Sequence, residues 1–599
     1  MTPPIDARKP ARPAPPGSSA PSATSQIILA AWPYLASALL ASIIAASVLH
    51  LGQHDWSLPL QYHGWDLFFY LTCSKTIRQT GWFFGNPLLG APVGLSMLDY
   101  PLCDDLNLLA IKLCNAVTSD FVTALNLYYF LGFPLAALTA TAAFRKLKIS
   151  RPASAAAATL FALAPYHFFR MQHTFLAFYI MLPPALAIAI RIADGEEFPF
   201  TNPATRRKSL FVLLILLATV STGIYYSFFV AVFIAIAGVL AAVRFRNWRR
   251  LIAPALFLCV ILIGFVINTA PNLYQLATAP PNPDAVKRYS GESEVYALRL
   301  TNLLLPVLDD RIPALAAMTR RYEATVPYSE SSTAGVGLLT DVGILILLAV
   351  ALAACAGIPA PRPLGALAAL MLAGILLGTF GGFGPLFAFL VSPLLRSWGR
   401  ISICLAFFSL CALAMLADSF VFLQPARAKN KALLAALLIL FSVGVWEQIP
   451  WIDINEQDIA KHWRWDDNFV RLIEARVGRD ATIFQLPYVP FPEGPLVGHM
   501  ADYDLFRGYF HSDTLAWSYG SMRGRDGDKW QEAVASLPVP QMLSKLRDAK
   551  FDGIYFDRFG DLPNTADLLN QLQSACGPPV VSEDPDHRLL FFSLKPLQP

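Results

Sequence analysis

"IILAAWPYLASALLASIIAASVLH", residues 27–50, decides the fold of this chain. No Asp, Glu, Lys or Arg interrupts it. At about 1.5 Å per helical residue it covers the roughly 30 Å of hydrocarbon in a bilayer. The run is too long for the core of a signal peptide and has no clear cleavage pattern, so it is expected to be a retained first transmembrane helix. Residues 1–26 before it are rich in Pro, Ala and Ser, with Arg8, Lys9 and Arg12. That composition predicts a disordered tail.

Outward from this helix, composition gives the same class. The 599 residues are 55% hydrophobic and only 15% charged, with mean hydropathy +0.48. Soluble domains carry roughly 25% charged residues, so the chain reads as a polytopic α-helical membrane protein. A net charge of +4 gives no support to nucleic-acid binding. The eight cysteines show no spacing of a zinc site. Cys73, Cys103 and Cys114 share one loop, where a disulfide could form in an oxidising compartment.

Apolar runs of spanning length fall near 27–50, 122–144, 153–169, 174–193, 209–222, 224–243, 251–270, 335–357, 363–380, 401–422 and 432–449, about eleven in all. With the tail in the cytoplasm, the even-numbered connections read "FRKLKISR", "NPATRRKS", "RFRNWRR", "PAPRP" and "PARAKNK". All five are basic, as the positive-inside rule asks. The other side then holds the 51–121 loop, the "PYHFFRMQHT" and "STGIYYS" turns, the 271–334 loop, "SPLLRSWGR" and everything after about 450. Helical stretches and the strand-like runs "ATIFQLPYV", "FDGIYFDRF" and "RLLFFSL" alternate in 450–599. They predict a small α/β domain on the non-cytoplasmic side, behind a membrane module over 27–449.

Most of the unusual polar residues fall on that side. "HGWDLFFY" (63–70) sets His63 and Asp66 among aromatic residues that suit an interfacial helix at headgroup depth. "MLDYPLCDDLNLL" adds Asp99, Asp104 and Asp105, and the adjacent pair is a candidate for a divalent cation, Mg or Mn. The pair is equally placed to favour a helix N-terminus. His167, Arg170 and His173 recur at three-residue spacing, which puts them on one helix face. Arg396 and Arg400 lie on the side where arginine is disfavoured, and a phosphate partner explains them. Arg288, Tyr289 and Glu330 come from a loop too polar for a plain connector. "YFHSDTLAWSYGSMRGRDGDKW" gathers aromatics with Asp513 and Arg525, which predicts a loop over an acceptor site, although "DGD" also makes an ordinary turn.

The acidic residue in the first large outer loop, about eleven spans with "TGIYYS"-type turns, and the outer α/β domain together resemble the GT-C superfamily of membrane glycosyltransferases. The "RSWGRIS" entry to a late helix is similar to bacterial members called sugar translocases or YfhO-like proteins. Asp66 is followed by Leu67 and Phe68 rather than by a second carboxylate. The resemblance implies a bacterial inner-membrane enzyme with its C-terminus in the periplasm. Such an enzyme transfers a sugar, with inversion, from a polyprenyl-phosphate donor to a glycan, lipid or protein. It further implies Asp66 as general base with His63 beside it, and Arg400, Arg396, Arg288 and Arg170 at the donor phosphate. His167, His173, Tyr225, Tyr226, Tyr289, Glu330, Asp513 and Arg525 would then contact sugar or acceptor. A flippase for lipid-linked sugars of cell-envelope polysaccharide assembly is the competing expectation. The small number of charges within the spans weighs against it.

Overall fold

The computed structural model describes residues 23–198, 203–422, 424–428, 430–561 and 563–595. The tail expected to be disordered lies outside the described residues up to 22, and the first helix runs from Ala23 to Val48. Among the described residues seven helices are long and apolar enough to cross a membrane. They are Ala30–Val48, Phe121–Lys146, Ile224–Arg244, Trp248–Asn268, Leu338–Cys355, Trp398–Val421 and Lys431–Gln448. Leu182–Ala193 and Arg362–Gly378 are shorter apolar helices. The chain is therefore a multi-pass membrane protein.

The helix ends follow from local chemistry. Asp120 accepts hydrogen bonds from the Val122 and Thr123 amides at 2.9 and 2.8 Å, and Asn430 caps Lys431–Gln448 in the same way. Two expected spans are broken. The run 153–169 is helical over Arg151–Ala162 and again only over Pro165–Phe169, because Ala164 is held extended before a proline. The run 174–193 divides into Thr174–Ala177 and Leu182–Ala193, the second starting on Pro183 at its first turn. Both breaks fall around "PYHFFRMQHT" and free its side chains from a continuous helix.

The C-terminal segment opens with the helix Glu456–Val477. Its described residues form a five-stranded sheet in the order Ala516–Trp517, Thr482–Leu486, Gly553–Asp557, Leu589–Ser593, Val580–Val581. The first three strands are parallel to one another and the last two pair antiparallel. One face is covered by Asp526–Ala535, Val539–Asp548 and Thr565–Cys576.

The other face does not close on itself. Its core is continuous with the 51–121 loop, joining Phe68, Phe69, Leu71, Ile77 and Leu108 to Phe469, Phe491, Phe506, Tyr509 and Trp517. The helix Asp66–Thr80 lies inside this joint core, with Phe68 and Phe510 ring centroids 5.1 Å apart. Of the aromatics read as a headgroup anchor, Trp65 is exposed, whereas Phe68 and Phe69 are instead buried against protein. Lys75 is buried there too, donating to the Tyr509, Phe510 and Ser512 carbonyls at 2.7, 3.1 and 2.9 Å. Cys73, Cys103 and Cys114 are separate buried thiols, not a disulfide.

Candidate active site

A cavity of about 580 Å³ lies between one end of the helices and the C-terminal domain. Its wall takes residues from six segments that the sequence places opposite the basic connections. They include Asp66 and Asp104, His173, Tyr225, Arg288, Arg396 and Arg400, and Glu493 with Asp502.

Gly64 (φ 77°) and Trp65 (φ 57°) turn the chain so that Asp66 starts a helix at the cavity edge. The Trp65 amide donates to the Asp502 carbonyl at 2.8 Å. A Cβ on Gly64 would lie 2.7 Å from the Ala501 Cβ, so only glycine admits the domain this closely. Trp65, Glu493 (φ 52°) and Tyr503 (φ 65°) all line the cavity in the left-handed region. Such conformations are costly for residues with side chains and gather at working sites.

Asp66 Oδ2 lies 2.6 Å from His173 Nδ1. Burial alone would raise the Asp66 carboxyl. The neighbouring His173, its hydrogen bond and the Arg400 charge outweigh that and hold it below the usual value. The rise expected of a general base is therefore absent at Asp66. Burial pushes Asp104 up to about 7 and Asp105 up to about 6. Asp502 is likewise pushed up to about 7 by burial, with the Asp66 charge adding to the effect.

The cationic wall consists of two arginine–glutamate–arginine units. Glu330 Oε1 lies 3.0 Å from Arg170 Nη1 and 3.2 Å from Arg400 Nε. Burial would raise the Glu330 carboxyl, and the two guanidinium charges hold it far below its usual range instead. Arg400 also stacks over the Tyr225 ring at 4.4 Å. Glu493 is gripped by both terminal nitrogens of Arg288 and lies 3.6 Å from Arg396, which in turn holds Glu292 at 2.6 Å. Glu330 and Glu493 thus each face two arginines; the Arg170–Glu330–Arg400 unit keeps a net positive charge, while Glu292 balances the second unit.

Other expected residues lie elsewhere. His63 is exposed and is not the partner of Asp66. Arg170 is buried behind Arg400, and Glu330 bridges these arginines instead of lining the cavity. His167 is fully buried, stacked on Phe133 at a centroid distance of 3.7 Å, with no hydrogen bond to either ring nitrogen. Tyr226 is also buried and donates to the Leu176 carbonyl. Tyr289 is exposed on the surface, and Asp513 pairs with Lys75 at 3.1 Å. Arg525 does not reach the cavity because Asp99 holds it, Nη2 to Oδ1 at 2.6 Å.

Asp104 lines the cavity and Asp105 does not, the ordinary result of adjacent positions at a helix start. Asp104 Oδ1 already accepts from Asn107 at 2.8 Å. Among the described residues no group of three or more His, Cys, Asp or Glu is placed to hold a metal ion.

Glu493, Asp502, Tyr100 and Tyr503 were not found from sequence. Their one local signal is a lone carboxylate among prolines and glycine in "PFPEGP".

Comparison with solved structures gives ArnT from Cupriavidus metallidurans bound to undecaprenyl phosphate, at TM-score 0.50 and 14% identity. That match covers 96% of this chain and 99% of the other. The archaeal oligosaccharyltransferase AglB from Archaeoglobus fulgidus, in complex with an inhibitory peptide and a dolichol-phosphate, matches at TM-score 0.46 and 11% identity, covering 94% and 74% of the two chains. The arabinofuranosyltransferase AftD from Mycobacteria matches at 0.47 and 13%, covering 94% and 41%. No curated protein matches. A family model described as "Domain of unknown function (DUF6311)" matches residues 34–358, more than half of the chain. The fold is shared with that ArnT structure, and the chain belongs to the DUF6311 family.

Proposed function

We propose that this protein is a membrane glycosyltransferase that moves a sugar from a polyprenyl-phosphate donor to a hydroxyl of a glycan, lipid or protein. One observation carries the reading. A single cavity of about 580 Å³ sets three arginines beside a histidine–carboxylate pair. That volume suits a sugar phosphate, and the fold is shared with an ArnT crystallised with undecaprenyl phosphate.

In this reading Arg288, Arg396 and Arg400 neutralise the phosphate and make it a good leaving group. The Asp66–His173 pair takes the acceptor proton as the hydroxyl oxygen attacks the anomeric carbon. One in-line displacement inverts that carbon. No step is routed through a metal. In this reading the five basic connections face the cytoplasm and the cavity opens on the periplasmic side of an inner membrane. The units are a tail over 1–26, the membrane module over 27–449 and a periplasmic domain over 450–599 that is completed by the 51–121 loop.

The test uses purified full-length protein in nanodiscs with a panel of undecaprenyl-phosphate hexoses and pentoses and a cell-envelope extract as acceptor. Release of undecaprenyl phosphate from one donor supports the reading. Absence of release from all donors, together with no binding of undecaprenyl phosphate, ends it. The flippase reading finds support in Asp341 and Glu447, buried acids on two spans, with both Asp341 oxygens unpartnered among the described residues. Scrambling of a fluorescent lipid-linked sugar across vesicles that is unaffected by Asp66→Asn would favour it.

A further inference from the structure

Resting on that reading, we infer that His173, and not Asp66, receives the acceptor's proton, with Asp66 serving to orient the imidazole. His173 has two ring nitrogens in different situations. Nδ1 is committed to Asp66 at 2.6 Å. Nε2 makes no hydrogen bond with a described residue and is not sealed away, and the side chain is 28% exposed on the cavity wall. His167, six residues earlier, has both nitrogens enclosed and cannot meet a substrate.

The ionised Asp66 only accepts hydrogen bonds, so Nδ1 carries the proton and the neutral ring keeps its lone pair on Nε2. A carboxylate already stabilised by an imidazole and by Arg400 is a poor proton acceptor. The imidazole it orients keeps the Nε2 lone pair free on the cavity wall, which makes it the better acceptor. The charged and titratable groups around the pair are Asp66, Tyr70 and Asp104 from the first loop, Arg170, Glu330, Arg400, and Asp502 with Tyr503 from the C-terminal domain.

The step balances. The acceptor O–H bond breaks, its oxygen bonds to the anomeric carbon, and its proton goes to Nε2. The bond from the anomeric carbon to the phosphate oxygen breaks, and its electron pair leaves with the polyprenyl phosphate. The imidazolium Nδ1–H stays on Asp66 and stabilises the new cation, and Nε2 later returns its proton to water.

Two measurements test this on the full-length protein. In the first, diethyl pyrocarbonate acylates accessible neutral imidazoles, and peptide masses report which of the nine histidines react. His173 should react at pH 7.5, more slowly as pH falls, and several-fold more slowly with undecaprenyl phosphate present. A His173 that stays unmodified, or that undecaprenyl phosphate does not protect, overturns the assignment without touching the transferase reading. In the second, release of undecaprenyl phosphate is followed against pH. His173→Gln should lose roughly 10²-fold or more in kcat, with little change in KM, and should lose the acid limb of the profile. Asp66→Asn should keep that limb, moved to lower pH. The reverse pattern, with the limb lost in Asp66→Asn and a near-normal rate in His173→Gln, assigns the proton to Asp66. A wild type that releases nothing from any donor removes the transferase reading and this role with it.

Discussion

Glu330 shows how much a residue depends on its partners. It is nearly sealed from water between Arg170 and Arg400, so Glu330→Gln leaves two guanidinium groups facing each other without their carboxylate. Breaking a buried ion pair from one side costs roughly 3–5 kcal/mol. A thermal melt of the purified variant should show a large drop, and an unchanged melting temperature would refute the bridge. Arg396 is more open, with 27% of its side chain exposed. Arg396→Ala should therefore weaken undecaprenyl phosphate binding by roughly 1.5–3 kcal/mol, the worth of a charge-assisted hydrogen bond, while the fold survives. Lys at this position should restore only part, because the fork is lost. Asp104 gives a pH signature. Its folded value of about 7 lies above the roughly 3.9 of an unfolded chain. The native state therefore holds the extra proton, and stability contributed below about pH 4 is lost as pH rises toward 7. Asp104→Asn should gain on the wild type in melting temperature between pH 5 and pH 8, and a constant gap would contradict the shift. Sequence named the residue types at this scale but not their pairings. Asp66 was legible as a candidate carboxylate and does line the cavity, whereas its partner His173 was not separable from His63 or His167, because contact across segments leaves no local pattern.

At the scale of elements, the helix Asp66–Thr80 read as amphipathic and was assigned to the membrane surface, when its aromatic face is covered by the C-terminal domain. Periodicity reports that a face is apolar and says nothing of what covers it. The turn before it makes the cover possible. Gly64→Ala must force a Cβ to within 2.7 Å of the Ala501 Cβ and 2.9 Å of Asp504 Oδ1, at φ 77°. Overpacking and left-handed strain together cost roughly 2–4 kcal/mol. The variant should melt earlier and transfer sugar more slowly, because Trp65 and Asp66 move with the turn. Full activity and stability in Gly64→Ala would mean that the close approach does not matter. The broken helices around residues 164 and 182 were the other surprise. Their prolines were visible, but hydropathy over the window outweighed them.

For the whole molecule, the shared core predicts that residues 450–599 expressed alone stay unfolded or aggregate, since Phe491, Phe506, Tyr509 and Trp517 lose the first loop that covers them. Circular dichroism and a cooperative melt of that fragment check it, and a sharp transition would contradict it. Reporter fusions at 205 and 500 should give opposite compartments, as the basic connections require. The sequence by itself determined the membrane class, the three longer strands of the C-terminal sheet and the loops that carry most of the cavity's arginines. Those properties depend on composition and periodicity, which are additive along the chain. Only the tertiary structure decided that Glu493 and Asp502 belong to the cavity, that His173 holds Asp66, and that the first loop completes the C-terminal domain. Those facts rest on contacts between segments far apart in the chain, and close packing fixes them only once the whole chain has folded.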